Sequence, residues 1–347
     1  MALFAPDVAI DLGTSNTMIY VRERGIMVSE PSIIVTDAKD HHIIRAVGDE
    51  ARFQLGRTTN MLNSVLPMRG GTIIDFDMAV QMLRYYLMKA IGTSRLFRPK
   101  AVVSIPCNLS DVQRKIVQDA VTKAGCKQVY LIEKPYAAAI GTGLPVFEPT
   151  GSMVVDVGGG STDVALVSIG GIVVAQSVQV GGNKMDEAIS AYIKRNANML
   201  IGARTAEDVK CDLGTALKLV ENRRIRIRGK DLISAAAKDI EFTSAQCYEA
   251  LHEPCQAILA AIKWVLERTP PELASDVMRG GIHLTGGGAQ LFALDQYIAS
   301  ELGIPVLLAK EPTDCTIIGL GYLLENMQLL PSGSRMTSTA KRGGTSY

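Results

Sequence analysis

The sequence predicts an α/β protein made of two related halves, on three observations. Residues 8–21 (VAIDLGTSNTMIYV) and 154–169 (VVDVGGGSTDVALVSI) each read as an apolar strand closing on Asp, a turn of glycine and hydroxyl residues, and a second apolar strand. The two copies lie roughly 145 residues apart, which suggests an internal duplication. Around them, short apolar runs alternate with stretches of helical periodicity, the pattern of sheets covered by helices. A third glycine turn, LTGGGA at 284–289, follows directly on another buried run.

Each element has a local cause. After the first hairpin, residues 25–29, 32–36 and 43–47 read as strands, and the mixed stretch 49–66 as a short excursion beside the main sheet. Val80, Leu83, Leu87 and Ile91 recur at helical spacing, so 78–91 is an amphipathic helix. Residues 101–105 form a buried strand stopped by Pro106; Ser110 then caps a helix, with Gln113 completing a capping box and Gly125 at the far end. Residues 129–132 are a strand, and Pro135 opens a helix at its first turn. Pro145 and Pro149 mark a hinge into the second half. There the hairpin gains a third strand at 172–180, followed by helices at 185–200 and 205–219 (Thr205 as N-cap) and a short strand at 225–228. A long helix spans 246–267, another starts at Pro270-Pro271, and strands at 282–284 and 306–308 flank a helix at 291–302. A helix over 316–327 closes the fold.

Composition narrows the function. The chain has 347 residues, 47% of them hydrophobic, enough for two sizeable cores. Its 36 basic and 35 acidic residues leave a net charge of +1, which offers no reason to expect a nucleic-acid partner. Cys107, Cys126, Cys211, Cys247, Cys255 and Cys315 form no CxxC pair and read as buried free thiols in a reducing compartment. No run is long and apolar enough to span a membrane, and MALFAPD is not a signal peptide, so a cytoplasmic location is expected. Residues 332–347 read as a disordered, mildly basic tail.

The chemistry gathers at the glycine turns. Asp11 and Asp156 each end an apolar strand, where a carboxylate is costly without a partner. One alone could be a turn cap; two at matched positions favour holding Mg²⁺ through its waters. Gly13, and then Gly158, Gly159 and Gly160, let backbone N–H groups approach phosphate oxygens as an anion nest. Gly286, Gly287, Gly288 and Ala289 bring a helix start toward a phosphate or ribose.

These three turns, DLGTSNT, DVGGGSTD and LTGGGA, resemble the two phosphate motifs and the adenosine motif of the actin, sugar-kinase and heat-shock-chaperone ATPase superfamily. Further stretches, among them GIMVSEPSIIV (25–35), GGNKMDEAI (181–189), IGARTAEDVK (201–210) and LGIPVLLAKEP (302–312), are similar to the MreB family of bacterial actin homologues over nearly the whole chain. The resemblance implies an actin-like fold: two duplicated α/β domains in four subdomains around one cleft for ATP and Mg²⁺. Subdomain IA would comprise 1–33, 69–148 and the closing helix 320–331; IB 34–68; IIA 149–184 and 245–319; and IIB 185–244. Thr14, Ser15 and Asn16 would contact phosphates from one side and Gly158, Gly159, Gly160, Ser161 and Thr162 from the other. Glu207, Asp208, Val209 and Lys210 would form the nucleoside-contacting helix; read by themselves, Glu207 and Lys210 are an ordinary solvated charge pair. Head-to-tail filaments, paired antiparallel, on the inner membrane surface and working with other cell-shape proteins are the implied assembly.

One position departs from that family. Its helix after the strand at 129–132 usually begins Glu-Glu-Pro, the second Glu orienting the attacking water; here the residues are Glu133, Lys134 and Pro135. An ammonium has no lone pair to orient water, though it can attract a phosphate as a point charge. Hydrolysis should therefore be weakened, with Lys134, Thr162 and Asp163 as the residues nearest the chemistry. The alternative left open is that Lys134 faces away and Asp163 takes over. The remaining rivals are a small-molecule kinase and a chaperone-type ATPase on the same fold; the former would need a substrate pocket and is opposed by the MreB-like stretches outside the shared turns, and the latter would need a peptide-binding domain.

Two surfaces stand out. Leu96-Phe97, among basic residues, resembles the family's membrane-entering loop, and a loop tucked onto its own domain is the other reading. Arg224, Arg226 and Arg228 alternate with isoleucines, so they share one strand face, either as a solvated edge or as an acidic-partner site.

Overall fold

The computed structural model describes residues 5–54, 61–93, 98–331 and 334. Two five-stranded sheets carry the duplication. In the first, Val8–Leu12 pairs antiparallel with Asn16–Val21 and that strand with Gly25–Pro31, while Lys100–Ile105 and then Gln128–Glu133 add in parallel on the other side. The second repeats this order: Ser152–Val157, Thr162–Ser168 and Gly171–Val178 form the meander, and Ile282–Thr285 and Val306–Leu308 the parallel pair. The hairpin registers correspond as well. Asp11 lies opposite Met18 and Asp156 opposite Asp163, each one pair before the turn.

Three large apolar cores follow, beside a small one of Ile33, Val35, Ala46 and Ala51. One packs the first sheet against the helices Phe76–Ile91 and Asp111–Ala124, whose N-caps Asp75 and Ser110 accept from the backbone as cap chemistry requires. A second packs the second sheet against Gly182–Ala197, Ala203–Leu213 and Ser244–Glu267. The third joins the halves, because two helices exchange places. Lys134–Gly141 leaves the first sheet and packs on the second, and Cys315–Glu325 leaves the second and packs on the first. They cross with backbones nearly touching: a Cβ on Gly319 would sit 1.8 Å from the Ala137 carbonyl oxygen, and one on Gly141 1.9 Å from that of Cys315. Arg22 and Glu325 pair at 3.4 Å, and the Glu23 N–H donates to Glu325 Oε1 at 3.0 Å, tying the closing helix to the first sheet.

Two three-stranded sheets stand beside the large ones: Ile34–Asp37 with Ile44–Val47 and Leu62–Val65, and Met199–Leu200 with Arg224–Asp231 and Ala237–Thr243. The stretch read as a mixed excursion thus holds the helix Asp49–Gln54 and a strand. Arg226 and Arg228 pair with Asp239 at 2.9 Å and Arg224 with Glu241 at 3.5 Å, so the arginine face meets its acids on the neighbouring strand.

Several expected boundaries move. The helix expected from Thr205 runs Ala203–Leu213 with Gly202 as N-cap, and Gly214 ends it well before 219. The glycine turn at 286–288 enters a short 3₁₀ segment, Gly287–Gln290, and the α-helix begins only at Leu294. Cys126, Cys247, Cys255 and Cys315 are buried as expected, but Cys107 is half-buried and Cys211 exposed. No helix among the described residues is long and apolar enough to cross a membrane. Leu96, Phe97 and nearly all of the tail at 332–347 lie outside the described residues.

Candidate functional site

The two hairpin turns face each other across a cleft of about 950 Å³ between the halves. They approach closely enough that side chains would not fit at the second turn. A Cβ on Gly159 would lie 2.0 Å from Ser15 Oγ, and one on Gly160 2.3 Å from Thr14 Oγ1. Glycine at these positions leaves room for the close approach of the first hairpin's Ser15 and Thr14, a contact the sequence reading did not foresee. Ser15 Oγ donates to Asn183 Oδ1 at 3.0 Å, and the Gly71 N–H donates to Thr14 Oγ1 at 2.8 Å. Gly286 needs its positive φ of 83° to turn beneath the second hairpin, where a Cβ would strike the Val157 carbonyl oxygen at 2.4 Å.

Most of the expected residues line this cleft: Asp11, Gly13, Thr14, Ser15, Asn16, Lys134, Asp156, Gly158, Gly159, Gly160, Ser161, Glu207, Lys210, Gly286, Gly287 and Gly288. Five do not. Thr162 is buried and donates to the Val180 carbonyl at 2.7 Å. Asp163 lies below the wall, accepting from the Cys107 N–H and from Ser161 Oγ, both at 3.1 Å. Asp208 points to solvent, while Val209 and Ala289 belong to the second core. Reading sequence also missed Asn183, Leu291, Phe292 and Thr313 on the cleft wall. Only the GGNK turn before Asn183 offered a signal.

Glu207 and Lys210 do not pair with each other. Arg52 reaches Glu207 at 2.8 Å, bridging the two small sheets' sides of the cleft, and Lys210 pairs with Asp186 at 2.8 Å while donating to the Gly182 carbonyl at 3.1 Å. Both pairs hold the cleft's rim. The Arg52–Glu207 pair is half-exposed and contributes less than about 1 kcal/mol.

Lys134 faces the cleft. Its side chain starts at the end of Gln128–Glu133, in the first turn of the helix that Pro135 opens, and reaches across the intervening strand to Asp11, Nζ to Oδ1 at 2.9 Å. Ser104 on that intervening strand donates to the same oxygen at 2.5 Å. Lys134 is only 8% exposed. Burial by itself would push its ammonium down, but Asp11, Asp156, the hydrogen bond to Asp11 and Asp163 together hold it above the ordinary lysine range. Glu133 points elsewhere, to Arg114 at 2.8 Å.

Burial raises the Asp156 carboxyl to about 6; Lys134 opposes the rise, and Asp11 and Asp163 add to it. Burial likewise pushes Asp163 up, against the N–H of Cys107 and the hydroxyls around it. The folded chain therefore holds the Asp156 proton more tightly than the unfolded chain, whose carboxyl titrates near 3.8. The stability this contributes is fully present below the unfolded value and lost as pH rises through the folded one. Relative to Asp156→Asn, the parent should lose about 2 kcal/mol on going from pH 4 to pH 7. Urea unfolding of both proteins across that range measures it, and parallel curves would contradict the assignment.

A hydrated Mg²⁺ shared by Asp11 and Asp156 is what the paired aspartates lead one to expect, but the residues present do not fit it. One oxygen of Asp11 is taken by Lys134 and Ser104, and Asp156 Oδ1 accepts from Thr285 Oγ1 at 2.9 Å. Among the described residues no group of three or more His, Cys, Asp or Glu side chains converges to hold a metal ion. What the arrangement offers is a cleft lined by glycine turns, hydroxyls and one buried ammonium, suited to a polyanion.

Known proteins carry the same architecture. The family described as MreB/Mbl protein matches residues 5–332. The cell shape-determining protein Mbl of Bacillus subtilis (strain 168) is 43% identical over 329 residues, covering 95% of this chain and 98% of its own length. The cell shape-determining protein MreB of Escherichia coli (strain K12) is 42% identical over 332 residues, covering 94% and 95%. Among solved structures, MreB5 of Spiroplasma citri bound to AMPPNP superposes with a TM-score of 0.88 at 31% identity, over 93% of this chain and 97% of that one. A MamK double helical filament shares the fold, with a TM-score of 0.77 at 21% identity over 93% and 98%. With its duplicated sheets, exchanged helices and facing glycine turns, this chain belongs to the MreB/Mbl family of actin-like proteins.

Proposed function

We infer that this protein binds ATP in the cleft between its halves and polymerises into cytoskeletal filaments that serve bacterial cell shape or movement. The observation that carries the reading is the meeting of three glycine turns around one cleft, with Gly159 against Ser15 and Gly160 against Thr14. Backbone N–H groups from both hairpins can hold a triphosphate there, and a ligand gripped by both halves favours the closed arrangement. The four-subdomain division and head-to-tail contacts belong to this reading. Such contacts are heterologous and build open filaments rather than rings. The family's likeness supports antiparallel pairing and attachment at the inner membrane surface through Leu96 and Phe97. Any Mg²⁺ would come with the phosphates of the nucleotide and not be held by Asp11 and Asp156.

Hydrolysis in this reading is slow. Lys134 occupies the place where the resemblance expects a water-orienting Glu, and its ammonium is held on Asp11. Asp163, the substitute considered from sequence, is buried beneath the wall with both oxygens occupied.

Sedimentation and negative-stain microscopy of the purified protein, with ATP and without nucleotide, test the assembly. Filaments that pellet with ATP and not without it are expected. A protein that binds ATP but stays monomeric throughout would return the kinase or chaperone reading, tested in turn by transfer of phosphate to a small molecule or by peptide binding.

A further inference from the structure

The floor of the cleft, with Asp163 just beneath it, assembles charge from both halves. Asp11 comes from the first sheet, Asp156 and Asp163 from the second, and Lys134 from the strand end beside the exchanged helix. All four are buried to nine-tenths or more of their surface. Three carboxylates and one ammonium carry a formal charge of −2. With Glu at position 134 the same floor would hold four carboxylates at −4, and one divalent cation would return it to −2. The substitution is thus equivalent in charge to a bound metal ion.

We propose that the Lys134 ammonium is the resident cation of this cleft, standing where a divalent metal ion would otherwise neutralise the aspartates, so that the protein binds a nucleoside triphosphate without needing Mg²⁺. The inference rests on the reading of the cleft as a nucleotide site. Its geometry is specific. Nζ lies 2.9 Å from Asp11 Oδ1, with Ser104 Oγ on the same oxygen, so the carboxylate that would turn toward a metal ion's waters is already committed to the ammonium. An ammonium has three N–H donors, and a phosphate oxygen can take one that Asp11 does not use. The cation is tethered to the chain, so none has to be captured or stripped of water, whereas Mg²⁺ gives up its waters reluctantly. A buried carboxylate cluster requires some counter-charge. If Lys134 were only a structural ion pair, with no bearing on the ligand, the metal dependence of binding would be that of any triphosphate site.

The test titrates ATP into the parent, Lys134→Glu and Lys134→Met, each in excess Mg²⁺ and in excess EDTA, by calorimetry. For the parent, removing Mg²⁺ should change the dissociation constant by less than about threefold, and for Lys134→Glu it should weaken binding by about tenfold or more. In a second arm Mn²⁺ alone is titrated into nucleotide-free protein and followed by water-proton relaxation. Both variants should bind Mn²⁺ in the cleft and the parent should not. Lys134→Met keeps the test open if the Glu variant does not fold, since it leaves three carboxylates without their cation. A parent that loses about tenfold in EDTA, or binds Mn²⁺ as the variants do, overturns the proposal. If no protein binds ATP under any condition, the nucleotide reading fails, while the Mn²⁺ arm still decides whether Lys134 holds the metal position.

Discussion

Lys134→Glu is expected to speed phosphate release from ATP by about 10²-fold or more, measured in excess Mg²⁺ under polymerising conditions. The size follows from what the two side chains can do at one place. A carboxylate at the start of Lys134–Gly141 can accept a proton from water and orient its lone pair, and such a group typically contributes about 10²–10⁴ in rate. The ammonium can do neither, and it is also tethered to Asp11. Mg²⁺ must be abundant in the assay because the variant has lost its internal cation and gained a carboxylate. If the parent already releases phosphate as fast as the variant, another base is at work. Asp156 is then the first to replace, since it lines the cleft and its carboxyl, raised by burial to about 6, is well poised to take a proton near neutral pH.

Gly319→Val should be the most destabilising single change outside the cleft. The helices Lys134–Gly141 and Cys315–Glu325 cross without side chains between them, and even a Cβ at 319 would lie 1.8 Å from the Ala137 carbonyl oxygen. Neither glycine has a positive φ, so the cost comes from lost space and not from backbone strain. Overpacking of this kind costs about 1–3 kcal/mol when neighbours can shift, and more when the obstacle is backbone, as here. A lower urea midpoint, or failure to accumulate soluble protein, is the expected reading. Gly280→Ala is the comparison, because a Cβ there meets nothing within 4 Å and alanine is the better helix former. Equal midpoints for the two variants would mean that the crossing is looser than its geometry. Combining Gly141→Ala with Gly319→Ala should cost less than the two changes added, since one separation of the helices relieves both.

Much of this protein is legible along the chain because much of it is local. The two hairpins declare themselves as apolar, buried strands on either side of an Asp and a glycine turn, and Ser110 with Gln113 marks a helix start through bonds that span three residues. The glycines of the second turn are legible as a run open to phosphate, but not their closeness to Ser15 and Thr14. Thr205 misled because a good capping residue is also tolerated inside a helix. Here Gly202 starts that helix and Gly214 stops it, with its apolar face at Ala206, Val209 and Leu213 set by the second core. What tertiary structure alone decided lies between the halves. The exchange of the two crossing helices and the contact of Gly159 with Ser15 join residues far apart in sequence. So does the burial of Asp163 against the Cys107 N–H. Lys134 is the clearest case. That an ammonium replaces a carboxylate at the head of a helix is plain from Glu133, Lys134 and Pro135 in the chain. Whether that ammonium faced solvent or the aspartates depended on which strands lie side by side. Periodicity and capping are set by neighbours a few residues away, whereas the partner of a buried charge is set by the packing of whole sheets.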